Sequence, residues 1–529
     1  MAVDAGGRAG DARAASGGAT GTAGKEAGTG GRSGRDASVD ASGAAGARLD
    51  AATGETDATD ASAADAADVR AGARFEWQLF YDHAYAAHVE ADINGDAVVS
   101  GTFFDAKDVA LGSTTLKSHG GADILLNRVS SNGMPRWARS YGGTSDDYPV
   151  SFILDVQGRI SLVGLYNGIG NVGGPDFPAF TGTPGRFNVY VAELTADGDH
   201  VWSTTAGTTA DSFGGPVLAA TEAGGVFVPG YFAGTATIGG VSHASAGGQD
   251  AFFGRIDTTS TASNVSGEFA TAVTFGGPGD DRAVAVLHAG TGPDVDIVGQ
   301  FQDTVIFPTR NAPTTLTSHG GTDVFVARAT PDGALLDVVT FGGSGDDVVT
   351  SARLDASDGA SIIIAGSFDS PSLSILGGAA LVTEGGKDGF VAKLDPGLKH
   401  VWSERFGGAG DDLVRDVSVG VDGVVAVTGE FTRRIAFGKD VWNAALASDA
   451  GPGTSPGPDF FVAKLSRDGV PRWSLATGGP LTERGLSVAL DGAGGVYVVS
   501  SFQSPVDFGG GVLTPDPSRI ASALVRYAP

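Results

Sequence analysis

The chain has 529 residues, 85 of them glycine, with 34 basic and 61 acidic side chains and a net charge of −27. That charge argues against nucleic acid or an anionic membrane as a partner, because phosphate recognition needs a basic surface. The lack of cysteine excludes disulfides, thiolate zinc sites and a cysteine nucleophile, and no run approaches the roughly 18 apolar residues of a transmembrane helix.

Residues 1–74 stand apart from the rest. They are mostly Ala, Gly, Asp, Ser and Thr; Leu49 is their only leucine, and Phe75 is the first aromatic residue of the chain. Such a composition cannot bury enough apolar surface to offset the entropy of ordering. A disordered tail or tether is therefore expected over 1–74, and a folded part over 75–529. The first segment carries −3 and the remainder −24. The opening MAVDAGGRAG has no apolar core of a secretory signal. A cytoplasmic protein, or one whose export signal lies upstream of this sequence, are both open. Tethers rich in Asp, Ala and Gly often follow export signals, so an extracytoplasmic or cell-surface location is expected.

From Trp77 onward one unit recurs. Trp77, Trp137, Trp202, Trp402 and Trp473 open equivalent segments such as WSERFGGAGDD, and TAVTFGGPGDD from Thr271 and DVVTFGGSGDD from Asp337 match them without the tryptophan. The seven starts are spaced by 60 to 71 residues. Within a unit the order of signals is constant. An apolar-rich run such as RAVAVLH is followed by a Gly/Asp turn. An alternating run ending in Gly-x-Phe comes next, as in VAVTGEF up to Phe431. A Gly- and Ser-rich connection leads to a run such as DFFVAKL from Asp459, and a turn such as SRDG returns to the Trp strand. Period-two alternation, Val and Phe enrichment and polar turns indicate strands. Four strands in about 65 residues, repeated seven times, predict an all-β, seven-bladed β-propeller. The last unit lacks a fourth strand and the first segment is a spare one, so pairing of Phe75–Tyr81 with Ser522–Tyr527 is expected to close the ring.

The pattern WSxxFGGxGDD…VxVTGxF…LTSHGGxDxFVAKLxxDG resembles the SBBP-type β-propeller repeat, common in bacterial surface and secreted proteins. The resemblance spans about residues 75–529. It implies a seven-bladed propeller, usually with no assigned reaction. Copies two and seven depart from it: Asn188 stands where others have Asp, and the seventh reads TGGPLTER.

The recurring glycine of the second strand (Gly101, Gly164, Gly230, Gly299, Gly366, Gly429) needs a spatial reason. A large side chain from a neighbouring blade is expected over it, and the aromatic two places on is expected to fill the gap between blades. The acidic pairs Asp146–Asp147, Asp280–Asp281, Asp346–Asp347 and Asp411–Asp412 follow the glycine pair, with Asp211 and Glu483 as partial matches. They are read either as turn caps accepting backbone N–H groups or as oxygen ligands for calcium, although none has the D-x-[DN]-x-[DN]-G spacing. No other cofactor is expected. These loops and the longer connections 167–186 and 438–458 should share one strongly negative face, the place for a ligand or partner. His83 and His88 are peculiar to the first copy, and with Asp82 and Glu90 form a second candidate metal set. No G-x-S-x-G elbow, P-loop or HExxH occurs. The expected function is a monomeric, non-enzymatic scaffold presenting its acidic face to a protein or glycan. The alternative is a glycan hydrolase or lyase with carboxylates at the channel mouth. Convergence of repeat-breaking Asp, Glu, His, Tyr or Arg near the axis would favour the enzyme.

Overall fold

A computed structural model describes residues 73–529, except 105–107, 112–113, 180–186, 209–218, 221–224, 262–263, 289–293, 359 and 438–456. The expected tail over 1–72, Asp211 and most of the connection 438–458 therefore lie outside the described residues.

The described chain forms seven antiparallel blades. Blade 1 runs Ala84–Ala91, Ala97–Phe103, Asp123–Val129 and Pro135–Tyr141, from the innermost strand outward. Blades 2, 4, 5 and 6 repeat that order, beginning at Asp147, Arg282, Asp347 and Asp412. Blade 3 shows Ala219–Ala220 of its inner strand beside Val226–Ile238, Val241–Thr261 and Asn264–Phe275. Blade 7 takes Glu483–Leu490, Val496–Phe502 and Ala521–Tyr527 from the C-terminus, and its outer strand, Phe75–Tyr81, from the start of the ring. The closing register runs from Phe75 opposite Tyr527 to Tyr81 opposite Ser522, as the repeat count predicted.

Seven hydrophobic clusters occupy the seams, each drawn from two consecutive blades. One joins Val89, Val99 and Phe103 of blade 1 to Leu486, Tyr497 and Leu524 of blade 7. Another joins Leu126 and Tyr141 of blade 1 to Phe152 and Tyr190 of blade 2. Third strands such as Asp459–Leu465 are buried along their whole length because both faces meet a neighbouring sheet. The aromatics Phe103, Tyr166, Phe232, Phe301, Phe368, Phe431 and Phe502 are 0–1% exposed and lie in these seams. Fully burying one such ring contributes roughly 2–3 kcal/mol, so the seams hold the ring together.

The strand-two glycines have a different neighbour from the one expected. A Cβ on Gly366 would lie 2.0 Å from the Val348 carbonyl and 2.7 Å from the ring of Phe390; one on Gly429 would lie 1.9 Å from Leu413 O and 2.9 Å from Phe461. Phe390 and Phe461 belong to the same blade, directly across the ladder. The intruding carbonyl comes from a β-bulge in the inner strand, where the register slips between Val349 and Ser351 and between Val414 and Asp416. The glycine accommodates its own blade's bulge and aromatic ring, not a side chain of the next blade.

On the short-turn side, the Trp strands latch one blade to the next. The indole N–H of Trp77 donates to Ser131 O (2.8 Å), that of Trp137 to Ala196 O (3.1 Å) and that of Trp402 to Arg467 O (3.0 Å), each in the following blade's last turn. Gly133 and Gly469 of those turns have φ of +82° and +81° and lie under the Trp77 and Trp402 rings, so glycine is required there both for conformation and for space.

Candidate functional site

The loops that carry the acidic pairs lie on the same face as the second-to-third-strand connections. Ala122 N donates to Asp146 Oδ1 (2.9 Å), Gln249 N to Asp280 Oδ1 (3.0 Å), Thr322 N to Asp346 Oδ1 (3.0 Å) and Lys387 N to Asp411 Oδ1 (3.0 Å). The first acid of each pair thus ties its loop to the end of the preceding blade's long connection. The second glycine of each SHGG-like motif makes room for it: a Cβ on Gly121, Gly321 or Gly386 would approach the carboxylate oxygen to 2.2, 2.2 or 2.0 Å.

The second acid of each pair is buried at the start of the next inner strand. Asp147, Asp281, Asp347 and Asp412 are 0% exposed, as is Glu483. Each accepts the N–H of the glycine four residues earlier, at 2.8 Å from Gly143, 2.7 Å from Gly277, 2.5 Å from Gly343, 2.7 Å from Gly408 and 2.9 Å from Gly479. Each also faces a carboxyl at the head of the preceding blade's third strand: Asp123, Asp250, Asp323, Asp388 or Asp459. The Oδ1 atom of all five third-strand partners is buried with no hydrogen-bond partner among the described residues. Burial is the main cause that pushes Asp147 and Asp281 up to about 7, Asp347 to about 6 and Asp412 to about 8; the facing carboxyl adds to it. Asp459 is pushed up to about 7 by burial and by Glu483. Sequence reasoning singled out one side of these pairs. The other side, the Asp that opens each FVAKL-like strand, recurs as regularly and was the available signal.

One set of residues that break the repeat gathers on the axis. Each inner-strand bulge is followed by a side chain at one level: His88, Ser151, Ala285, Ser351, Asp416 and Ser487. Asp416 is the hub. It accepts from Ser351 Oγ (2.7 Å), Ser487 Oγ (2.8 Å), Val488 N (3.0 Å) and Val417 N (2.9 Å). Arg353 lies 3.8 Å from Asp416 and donates to Glu90 Oε1 at 3.1 Å. Val89 N donates to Ser487 Oγ at 3.2 Å. These bonds join blades 1, 5, 6 and 7 across the centre and satisfy inner-edge N–H groups that a bare edge strand would leave open. Burial pushes Glu90 up to about 7 against the pull of Arg353, and holds the His88 imidazole down to about 4 against the pull of Asp416.

The cavity enclosed by these groups is about 20 Å³, room for roughly one water. His83 and Asp82 are elsewhere, 3.6 Å apart and half exposed at the loop end of blade 1. The structure therefore separates the four residues of the second candidate metal set. Among the described residues no group of three or more His, Asp or Glu side chains is placed to hold a metal ion, and no helix is long and apolar enough to cross a membrane.

Neither a protein-family model nor a curated protein matches this chain. Solved structures similar to it include a protein of unknown function from Dyadobacter fermentans, 11% identical over 86% of this chain and 99% of that one, with a TM-score of 0.36. A puromycin hydrolase is 14% identical over 82% of this chain and 55% of that one, with a TM-score of 0.37. At such scores neither likeness bears on activity, and the architecture rests on the strand register above.

Proposed function

We propose that this chain is a non-enzymatic interaction scaffold of the SBBP-repeat type, held outside the cytoplasm by its N-terminal segment and presenting its acidic, loop-bearing face to a protein or glycan. The observation that carries the reading is the axis as the described residues line it: the repeat-breaking acids, histidine and arginine that converge there enclose about 20 Å³, far below the roughly 300 Å³ of a small-molecule site. The recurrent glycines and acids described above are engaged in holding strands, loops and seams. The described ring is entered at Ala73 and Arg74, where Ala528 N donates to Arg74 O at 2.8 Å beside the short turns.

The second reading keeps a specific observation, because Glu90 and Asp416 are paired carboxylates bridged by Arg353. Purified full-length protein is expected to release no reducing ends and no unsaturated sugars from a panel of polysaccharides. Turnover that the Glu90→Gln variant abolishes would sink the scaffold reading and establish the hydrolase or lyase in its place.

A further inference from the structure

Beside the outer strand of blade 1, the seam with blade 2 opens into a cleft of about 370 Å³, lined among others by Lys117, His119, Arg139, Tyr141 and Asn171 and bordered by the short turn of blade 2 at Asp197–Asp199. That size is within the range of ligand sites. Two of its residues break the repeat. Strand register makes Arg139, opposite Leu126, equivalent to Leu79, Thr204, Val273, Val339, Glu404 and Leu475. Three places before the glycine pair, Lys117 has Ala244, Thr317 and Val382 as its counterparts. Blade 1 alone places a cation at the first of these positions, and the same blade places one at the second. Asn171 comes from the irregular connection of copy two. Departures from the repeat in two different blades therefore meet in one cleft.

The groups are held in place. Lys117 N donates to Ser140 Oγ (3.1 Å) and its Nζ to Asp108 Oδ2 (2.5 Å). Arg139 Nε donates to Asp197 O (2.6 Å), and its Nη2 is 2.9 Å from Asp199. The Asn171 amide donates to Asp176 (3.0 Å), and its oxygen accepts Gly173 N (3.1 Å). Both ion pairs are exposed, and such pairs contribute little to stability. What they supply is donors next to acceptors at fixed spacing, with no net charge. The surrounding protein, at −27 overall, repels polyanions. Alternating donors and acceptors match the vicinal hydroxyls of a sugar, and ordering them beforehand lowers the entropic cost of binding.

We propose that this cleft binds a neutral saccharide, with Lys117, Arg139 and Asn171 as its polar contacts; the assignment rests on the scaffold reading and names its ligand class. The test is a printed array of neutral gluco-, manno-, galacto- and xylo-oligosaccharides alongside uronate-bearing ones, probed with the full chain. Retention on one or more neutral glycans is expected. The double variant Lys117→Thr with Arg139→Leu restores residues that other blades carry, so it should melt within about 2 °C of the parent, since surface changes of this kind cost little. It should lose array binding about tenfold or more, as removal of charge-assisted hydrogen bonds does. Neutral-glycan binding that the double variant retains overturns the cleft. An array that is silent, or positive only for uronates, overturns the ligand class, while the scaffold reading then stands or falls on its own turnover assay.

Discussion

Deleting Phe75–Tyr81 lowers the melting temperature by roughly 5 °C or more, whereas removing residues 1–72 leaves it unchanged. The strand supplies the whole outer edge of blade 7. Tyr81 is 1% exposed, Trp77 packs edge-on against Tyr497 at 5.9 Å, and Phe80 stacks on Phe502 at 5.8 Å. Burial of Tyr81 with half-burial of Trp77, Leu79 and Phe80 is worth on the order of 5 kcal/mol, which for a domain of this size translates into a shift of about that many degrees or more. The seam with blade 1 is weakened as well, because Ser522 Oγ accepts Ala86 N at 2.8 Å only while blade 7 stays in place. Calorimetry of the two truncations against the full chain reads the result. Equal transitions in all three would show that the ring does not depend on this strand.

Raising the pH from 5.5 to 8.5 destabilises the protein by several kcal/mol. Five inter-blade acids and Glu90 have their pKa raised in the folded state, to about 6 for Asp347, about 8 for Asp412 and about 7 for Asp147, Asp281, Asp459 and Glu90. A raised acid binds its proton more tightly folded than unfolded. Its contribution is complete below the unfolded pKa near 4 and is lost as the pH climbs through 6 to 8. Each tenfold gain in proton affinity on folding is worth about 1.4 kcal/mol at most. His88 acts in the opposite direction below about 6.5, because burial lowers its pKa, which places the optimum in mildly acidic solution. Substituting Asp123→Asn copies blade 2, where Asn188 already occupies this position, and puts an amide donor beside Asp147. Melting curves of this variant should fall less steeply with pH than those of the parent. A parent whose melting temperature is flat or rising between pH 5.5 and 8.5 would contradict the carboxyl pairing.

The architecture was readable because it is written seven times. The spare Trp strand at Trp77 and the missing fourth strand after Tyr527 determine both the blade number and the mode of closure, and a cyclic repeat offers one way to satisfy both edges. Local motifs were half readable. The glycine pair and the acid pair stand in one continuous stretch, so a turn cap was visible there. The facing Asp123 or Asp388 sits some 24 residues upstream in a different strand, and pattern alone does not join them. The strand-two glycine was assigned the wrong neighbour because a β-bulge has no sequence signature: Val348 and Leu413 are ordinary strand residues whose carbonyls intrude only once the inner strand slips by one position. The axial network was least readable. His88 and Glu90 stood out as peculiar to the first copy, but Arg353 and Asp416 look like surface polar residues in their own units. Only circular closure carries blades 5 and 6 across the axis from blade 1.

A designed crosslink tests closure most directly. The chain contains no cysteine, so Gln78→Cys with Val525→Cys places two thiols at one register pair of the closing ladder. Directly opposed antiparallel residues have Cα atoms about 4.5–5.5 Å apart, inside the range a disulfide spans. Mild oxidation should give a monomeric, internally bridged species linking the peptides around residues 78 and 525, with each single variant remaining a free thiol. Absence of the bridge, or bridging only between separate molecules, would mean that the two ends of the folded chain do not share a blade.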